Sequence, residues 1–264
     1  MLINRKIQIL DSTLREGEQT PGVSFTSEQK VAIAKRLDAF GVNFIELGHP
    51  AVSPDVYEAV EVLNDLDLNA IKMAHGRALK SDINDTVAIE VPWMGIFFGT
   101  SPLSLKNKFN VTKSEALKRI ESTVKYGKDK ELKLRFTAED ASRTDLDFLV
   151  EVGQLVQKSG ADRFSLADTV GCLTPTKTKK LVGRIVSEID LPIHVHCHND
   201  FGMATANALS AMEAGAQCVD VTVNGLGERC GLPPRRRRPR QSSPAPHRRS
   251  PTTADALPLE CGQN

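Results

Sequence analysis

Ile193-His194-Val195-His196-Cys197-His198-Asn199-Asp200 is the stretch on which the reading of this chain turns. Successive residues of a strand point to opposite faces, so His194, His196 and His198 share one face while Val195 and Cys197 share the other. Three imidazoles on one side of a short strand are costly unless something binds them. Two of them at i and i+2 reach one divalent ion, and neutral imidazole nitrogen is a common metal ligand. Asn199 and Asp200 stand where a hydrogen bond could hold a ligating histidine in place. A helical pattern over 201–214, closed by Gly215, and a strand over 218–223 follow. Strand, helix and strand at this spacing describe two parallel strands joined by a crossover helix.

The same unit recurs upstream. Strand patterns fall at 7–11, 44–48, 70–74, 93–98, 132–136 and 163–167. Helical patterns fall at 27–40, 54–63, 81–90, 113–127, 145–158 and 175–188. Ser27 is read as the cap of the first helix, Gly41 as its stop, and Pro175 as sitting inside the first turn of the sixth. Eight strands alternating with seven helices favour a closed α/β barrel, a (β/α)8 TIM barrel lacking its eighth helix, over an open sheet. No glycine-rich dinucleotide or phosphate loop follows the first strand, which agrees.

In such a barrel the site lies at the C-terminal ends of the strands. Those ends carry Asp11 with Arg15 and Glu16, then Glu46, His75, Thr100 with Ser101, Arg135 with Thr137 and Glu139, Asp168 with Thr169, His196 with His198, and Asn224 with Glu228 and Arg229. A purely structural barrel has no reason to gather ionisable groups at one rim. The pattern points to a polar, anion-binding pocket that contains a metal. His194 is deeper on its strand and is read as a core hydrogen-bonding residue, and Cys197 as core packing. Glu46 either positions the site or pairs with a lysine, and is left out of the catalytic set.

Composition bounds the rest. The chain has 264 residues and a formal net charge of +1. Five cysteines (172, 197, 218, 230 and 261) form no Cys-x-x-Cys pair, which fits a reducing cytosol and a cytoplasmic protein. The first ten residues are too short and too polar for a signal peptide, and no apolar run approaches membrane-spanning length. The charge is unevenly spread: residues 232–264 hold seven Arg against Asp255 and Glu260, with seven of the 14 Pro. The composition divides the chain into a catalytic barrel domain over 1–231 and a disordered, basic, Pro-rich tail over 232–264. Arg235 to Arg238 could serve as an anion or nucleic-acid patch, but the abrupt change of composition reads as a foreign or frame-shifted end, so no specific nucleic-acid partner is expected.

Four motifs now carry a resemblance: Asp11-Ser-Thr-Leu-Arg-Glu-Gly-Glu-Gln19, Ala167-Asp-Thr-Val-Gly171, His196-Cys-His-Asn-Asp200 and Asn224-Gly-Leu-Gly-Glu-Arg229. Together they resemble the metal-dependent Claisen-condensing barrels, the homocitrate, isopropylmalate and citramalate synthase group related to hydroxymethylglutaryl-CoA lyases. Glu16, and the segments Ala74-His75-Gly76-Arg77 and Arg135-Phe-Thr-Ala-Glu139, look most like homocitrate synthases of amino-acid biosynthesis. The resemblance implies one divalent ion (Zn, Mn, Co or Mg) on Glu16, His196 and His198, chelated by a 2-oxo acid and acting as a Lewis acid on its ketone. It implies Arg15 and Glu139 as catalytic residues, Arg15 toward the developing alkoxide and Glu139 in support. Gln19, His75, Arg135, Thr137 and Thr169 would bind the 2-oxo acid.

The substrates so implied are acetyl-CoA and a 2-oxo acid, 2-oxoglutarate first, with homocitrate and CoA as products. 2-Oxoisovalerate, pyruvate, oxaloacetate or a phosphono- or phosphino-analogue are alternative acceptors. A retro-aldol lyase and a truncated, non-catalytic remnant are the alternative classes. The resemblance also implies a homodimer in intact members. It fails after Gly231, where the family places Asn and this chain has Leu232. The eighth helix and a C-terminal region, considered as the source of a catalytic His, are not read here. A barrel with an uncovered face is expected to be poorly stable and weakly active.

Overall fold

The computed structural model describes residues 6–234. Eight strands alternate there with seven α-helices: β1 (Gln8–Asp11), α1 (Ser27–Phe40), β2 (Phe44–Gly48), α2 (Pro54–Asn64), β3 (Ile71–Arg77), α3 (Lys80–Ala88), β4 (Trp93–Gly99), α4 (Lys113–Asp129), β5 (Lys133–Glu139), α5 (Leu146–Lys158), β6 (Arg163–Asp168), α6 (Pro175–Glu188), β7 (Ile193–Cys197), α7 (Ala204–Ala214) and β8 (Cys218–Val221). Each strand pairs in parallel with the next, and β8 pairs with β1 from Gln8↔Cys218 to Asp11↔Val221, closing the barrel. The expected barrel is therefore the fold. Among the described residues no α-helix follows β8.

Boundaries differ from expectation where side chains settle them. The cap of α1 is Thr26, not Ser27: its hydroxyl accepts from Gln29 N, and the Gln29 side chain accepts from Thr26 N in return. β3 continues through His75 to Arg77 because His75, Gly76 and Arg77 pair with Gly95, Ile96 and Phe97 of β4. β5 likewise runs on to Glu139. β7 stops at Cys197, so His198 lies one residue past the strand. α7 starts at Ala204 rather than 201, because Gly202 takes a left-handed φ of 71° and Asn199 Oδ1 accepts from Ala204 N.

Leu232, Pro233 and Pro234, assigned to the tail by composition, are part of the fold. Leu232 is buried, Thr222 N donates to Pro233 O, and Thr222 bridges Pro234. The rest of the expected tail, 235–264, lies outside the described residues.

The outer strand faces pack on the helices. Ile45 and Leu47 of β2 meet Ala34 and Leu37 of α1 and Val60 and Leu63 of α2. Leu134 and Phe136 of β5 join Ile120 and Val124 of α4. Each fully buried side chain of this size stabilises the fold by about 1.5–3 kcal/mol. Inside the barrel Leu10, Phe44, Met73 and Cys218 form an apolar floor with Trp93. Phe44 and Trp93 meet edge to face at 5.7 Å, and the Arg163 guanidinium lies 4.7 Å from the Phe44 ring centre. Above this floor the interior turns polar.

Candidate metal centre

The polar interior is a charge network. Glu46, midway along β2, is wholly buried and is held from three sides. Its Oε2 accepts from Ser12 Oγ at 2.5 Å and from Arg15 Nε at 2.7 Å; its Oε1 accepts from Arg135 Nη2 at 2.8 Å and lies 3.1 Å from His75 Nδ1. Arg135 reaches across the barrel and also donates from Nη1 to Asp220 Oδ2 on β8, 3.2 Å away. It can cross because residue 95 is glycine: a Cβ there would lie 2.8 Å from Arg135 Nη2. Burial opposes ionisation of Glu46, but Arg15, His75 and Arg135 hold its carboxyl well below the usual range. Burial is likewise outweighed at Asp220 by Arg135 and the two histidines beside it.

At the rim, Glu16 opens a short 3-10 turn after β1 and is buried. Arg15 Nη1 donates to Glu16 Oε2 at 2.5 Å and to Gln19 Oε1 at 3.0 Å. Glu16 Oε1 accepts from Glu228 N at 3.0 Å, which ties the 224–229 loop to the site. Gly227 makes that approach possible, since a Cβ there would lie 3.1 Å from Glu16 Cγ. Burial disfavours the Glu16 carboxylate, and Arg15 and His196 more than compensate, lowering its pKa.

Glu16, His196 and His198 converge. One ligand atom from each lies within 4.8 Å of the others. Glu16 Oε2 is 3.9 Å from His196 Nε2. Two ligand atoms each about 2.1 Å from one ion can stand no more than about 4.2 Å apart, so this pair fits a shared ion. His198 Nδ1 is a buried nitrogen with no hydrogen-bond partner. Burial, then the neighbouring His196, pushes the His198 pKa down to about 3, which keeps its imidazole neutral and fit to ligate. Around the site the buried carboxylates of Glu16, Glu46 and Asp220 face the guanidinium groups of Arg15 and Arg135. A cation suits that imbalance.

The remaining expected residues share one cleft of about 760 Å³ with this cluster. His75 stacks on Phe97 at 5.0 Å, and burial, then Arg15, lowers its pKa to about 4. Thr137 Oγ1 is buried without a partner. Thr169 Oγ1 accepts from Asp140 N at 2.9 Å, leaving the hydroxyl hydrogen to donate elsewhere. Glu139 is held by Lys108, whose Nζ is 2.9 Å from both carboxylate oxygens. Gln19 is exposed at the mouth, where its Nε2 donates to Glu228 Oε1.

Two expectations need correcting. Asn199 and Asp200 are bonded elsewhere than to His196 or His198: Asn199 Oδ1 accepts from Ala204 N at the start of α7, and Asp200 takes a two-point ion pair from Arg229 at 2.8 and 3.0 Å. The carboxylate beside His196 is Asp220, with Oδ2 3.1 Å from His196 Nδ1. Glu46, set aside in the sequence reading, is the centre of the network and pairs with arginines rather than a lysine. The signal for both was present, because an acidic residue stands alone in each apolar strand, in Phe44-Ile-Glu-Leu-Gly48 and Cys218-Val-Asp-Val221. His49, also unread, lies edge to face with His75 at 6.0 Å and lines the same cleft.

The HMGL-like family matches residues 6–234. The homocitrate synthase of Saccharolobus islandicus is 52% identical over 234 residues, which cover 87% of this chain and 51% of that protein. The homocitrate synthase of Sulfurisphaera tokodaii is 51% identical over the same shares. The chain thus spans about half the length of the curated relatives it matches. Among solved structures, hydroxymethylglutaryl-CoA lyase from Pseudomonas aeruginosa superposes with a TM-score of 0.76 at 20% identity, covering 88% of this chain and 84% of that one. The carboxyl transferase domain of Rhizobium etli pyruvate carboxylase superposes with a TM-score of 0.71 at 17% identity over 88% and 42%. These structures share the fold.

Proposed function

Because the chain belongs to the HMGL-like family, we propose that its barrel carries out the condensation of acetyl-CoA with a 2-oxo acid, 2-oxoglutarate first among them, to give homocitrate and CoA. In that reaction the acetyl methyl group loses a proton and its carbon bonds to the keto carbon. The keto oxygen gains a proton, and water then cleaves the thioester, releasing the CoA thiol.

The observation that carries this reading is the convergence of Glu16, His196 and His198 beside His75 and Thr137 in one cleft. Those three residues would hold a divalent ion, which when bound supplies Lewis acidity toward the ketone. Arg15 makes three bonds, to Glu46, Glu16 and Gln19, out of five N–H donors. Its remaining donors serve the oxygen on which charge grows as the carbon–carbon bond forms. Glu16 and Glu46 hold Arg15 charged against its burial. Thr169 offers its hydroxyl hydrogen to the carboxylate next to the ketone. Thr137 offers its hydroxyl to the far carboxylate, with Arg135 behind it and Gln19 at the mouth, while His75, neutral at ordinary pH with its ring hydrogen facing Glu46, lines that end of the cleft. Glu139, fixed by Lys108, orders the β5 edge of the cleft.

The test is release of CoA thiol from acetyl-CoA by purified, metal-loaded protein across a panel of 2-oxo acids, with His196→Ala as control. Release with 2-oxoglutarate that disappears in the variant supports the reading. Release with another acceptor reassigns the substrate. No release with any acceptor, while metal still binds, makes this chain a binding remnant.

A further inference from the structure

Two of the three histidines that share a face in the opening stretch, His194 and His196, have a common neighbour, Asp220. His194 pairs with Cys218 and Val195 with Val219 in the parallel register of β7 and β8, which brings Asp220 level with His196. Asp220 Oδ2 lies 3.1 Å from His196 Nδ1, and Oδ1 lies 3.6 Å from His194 Nδ1. All three side chains are buried.

His194, Cys218 and Asp220 also stand close enough together to suggest a second cation site. The donors rule it out. A guanidinium has only hydrogens to give, so the 3.0 Å contact between Arg163 Nη1 and His194 Nε2 makes that nitrogen the acceptor. Its lone pair is used, and the ring hydrogen stands on Nδ1, facing Asp220. Burial keeps the Cys218 thiol protonated, and Arg135 Nη1 already occupies Asp220 Oδ2 at 3.2 Å. No lone pair remains on His194 for an ion.

The same logic runs upward. An ionised carboxylate only accepts, so His196 Nδ1 carries a hydrogen and donates it to Asp220. The lone pair of His196 is then on Nε2, the nitrogen 3.9 Å from Glu16 Oε2. We propose that Asp220 is the positioning residue of the metal centre: it fixes the tautomer and tilt of His196 so that Nε2 is presented to the ion, and is itself held by Arg135 Nη1, with the His194 ring facing it from beneath at 3.6 Å, beyond hydrogen-bond reach. This rests on the metal reading of Glu16, His196 and His198. The third histidine of the strand, His194, is held by Arg163 beneath this pair and is no ligand.

Two measurements test it. The first is ¹⁵N–¹H correlation of the imidazole rings in metal-free wild-type protein above neutral pH, with His196 assigned by its absence in His196→Asn. A hydrogen on Nδ1 and none on Nε2 is expected; a hydrogen on Nε2 overturns the proposal. The second is the Co²⁺ dissociation constant of Asp220→Asn by competition with a chromophoric chelator, with thermal melting of the metal-free variant read alongside. A merely structural Asp220 would lower the melting temperature and leave the affinity alone. Loss of an outer partner of a metal-bound histidine weakens binding by about 10–100-fold, and a loss below about tenfold overturns the proposal. Wild-type protein that binds no Co²⁺ overturns the metal reading, a failure distinct from a wrong tautomer, which the metal-free spectrum reads alone. Should Asp220→Asn fail to fold, the wild-type spectrum decides.

Discussion

Replacing Glu46 with glutamine keeps the shape of the side chain and removes the charge at the centre of the barrel. Glu46 Oε1 faces Arg135 Nη2 at 2.8 Å, and Oε2 faces Arg15 Nε at 2.7 Å. A glutamine has one acceptor oxygen and one NH₂ group. Whichever way the amide turns, its hydrogens meet a guanidinium N–H, so one buried arginine loses its bond and both lose a counter-charge. Arg15 retains Glu16 and Arg135 retains Asp220, so neither is left wholly unpaired. Breaking a buried ion pair by removing one partner costs about 3–5 kcal/mol. That is a large share of a total stability of about 5–15 kcal/mol. For a domain of this size it lowers the melting temperature by about 6–20 °C. The assay is urea denaturation of metal-free wild type and Glu46→Gln, read as a shift in midpoint at unchanged slope. A loss below about 1 kcal/mol, the value of an exposed ion pair, would refute the claim that Glu46 organises the interior.

Acidification reaches the same network. His75 and His194 are each pushed down to about 4 from an ordinary 6.5, mainly by burial. The unfolded chain therefore binds more protons than the fold between those values, and stability of the metal-free protein must fall as pH drops through that window. Urea midpoints that stay flat across it would contradict the burial of neutral imidazoles. Gly95→Ala drives a methyl against Arg135 Nη2, which Glu46 and Asp220 prevent from retreating; a loss of about 1–3 kcal/mol by the same assay is expected. A neutral Gly95→Ala would mean that Arg135 does not cross the barrel there. Glu16→Gln and His198→Ala each remove a proposed ligand and should abolish Co²⁺ binding in equilibrium dialysis, while circular dichroism stays that of wild type. Retention of a full equivalent of Co²⁺ by either variant would place the ion elsewhere.

Most of the fold was legible because parallel barrel strands announce themselves by alternation with helices. Strand ends were less legible: His75 and Glu139 continue strands that the apolar pattern alone would stop, because their backbones still pair with neighbours across the sheet. The proposed ligand trio came from the His-x-His spacing for the histidines and from the family resemblance for Glu16, and all three lie in short local motifs. Glu46, Asp220 and Arg135 form their network only when β2, β5 and β8 are brought together across the barrel. Their separations of 85 and 89 residues along the chain hide that contact from any local pattern. Leu232 to Pro234 were grouped with the basic tail by composition, yet backbone bonds to Thr222 decide their place.

The most direct test of the central claim is to load the protein with cobalt, record its visible spectrum, and titrate with 2-oxoglutarate. The account predicts one equivalent of Co²⁺ held by one carboxylate and two imidazoles, with a saturable spectral change on addition of the 2-oxo acid that His196→Ala abolishes. Co²⁺ that binds with no spectral response to any 2-oxo acid, or a response that survives in His196→Ala, would contradict it.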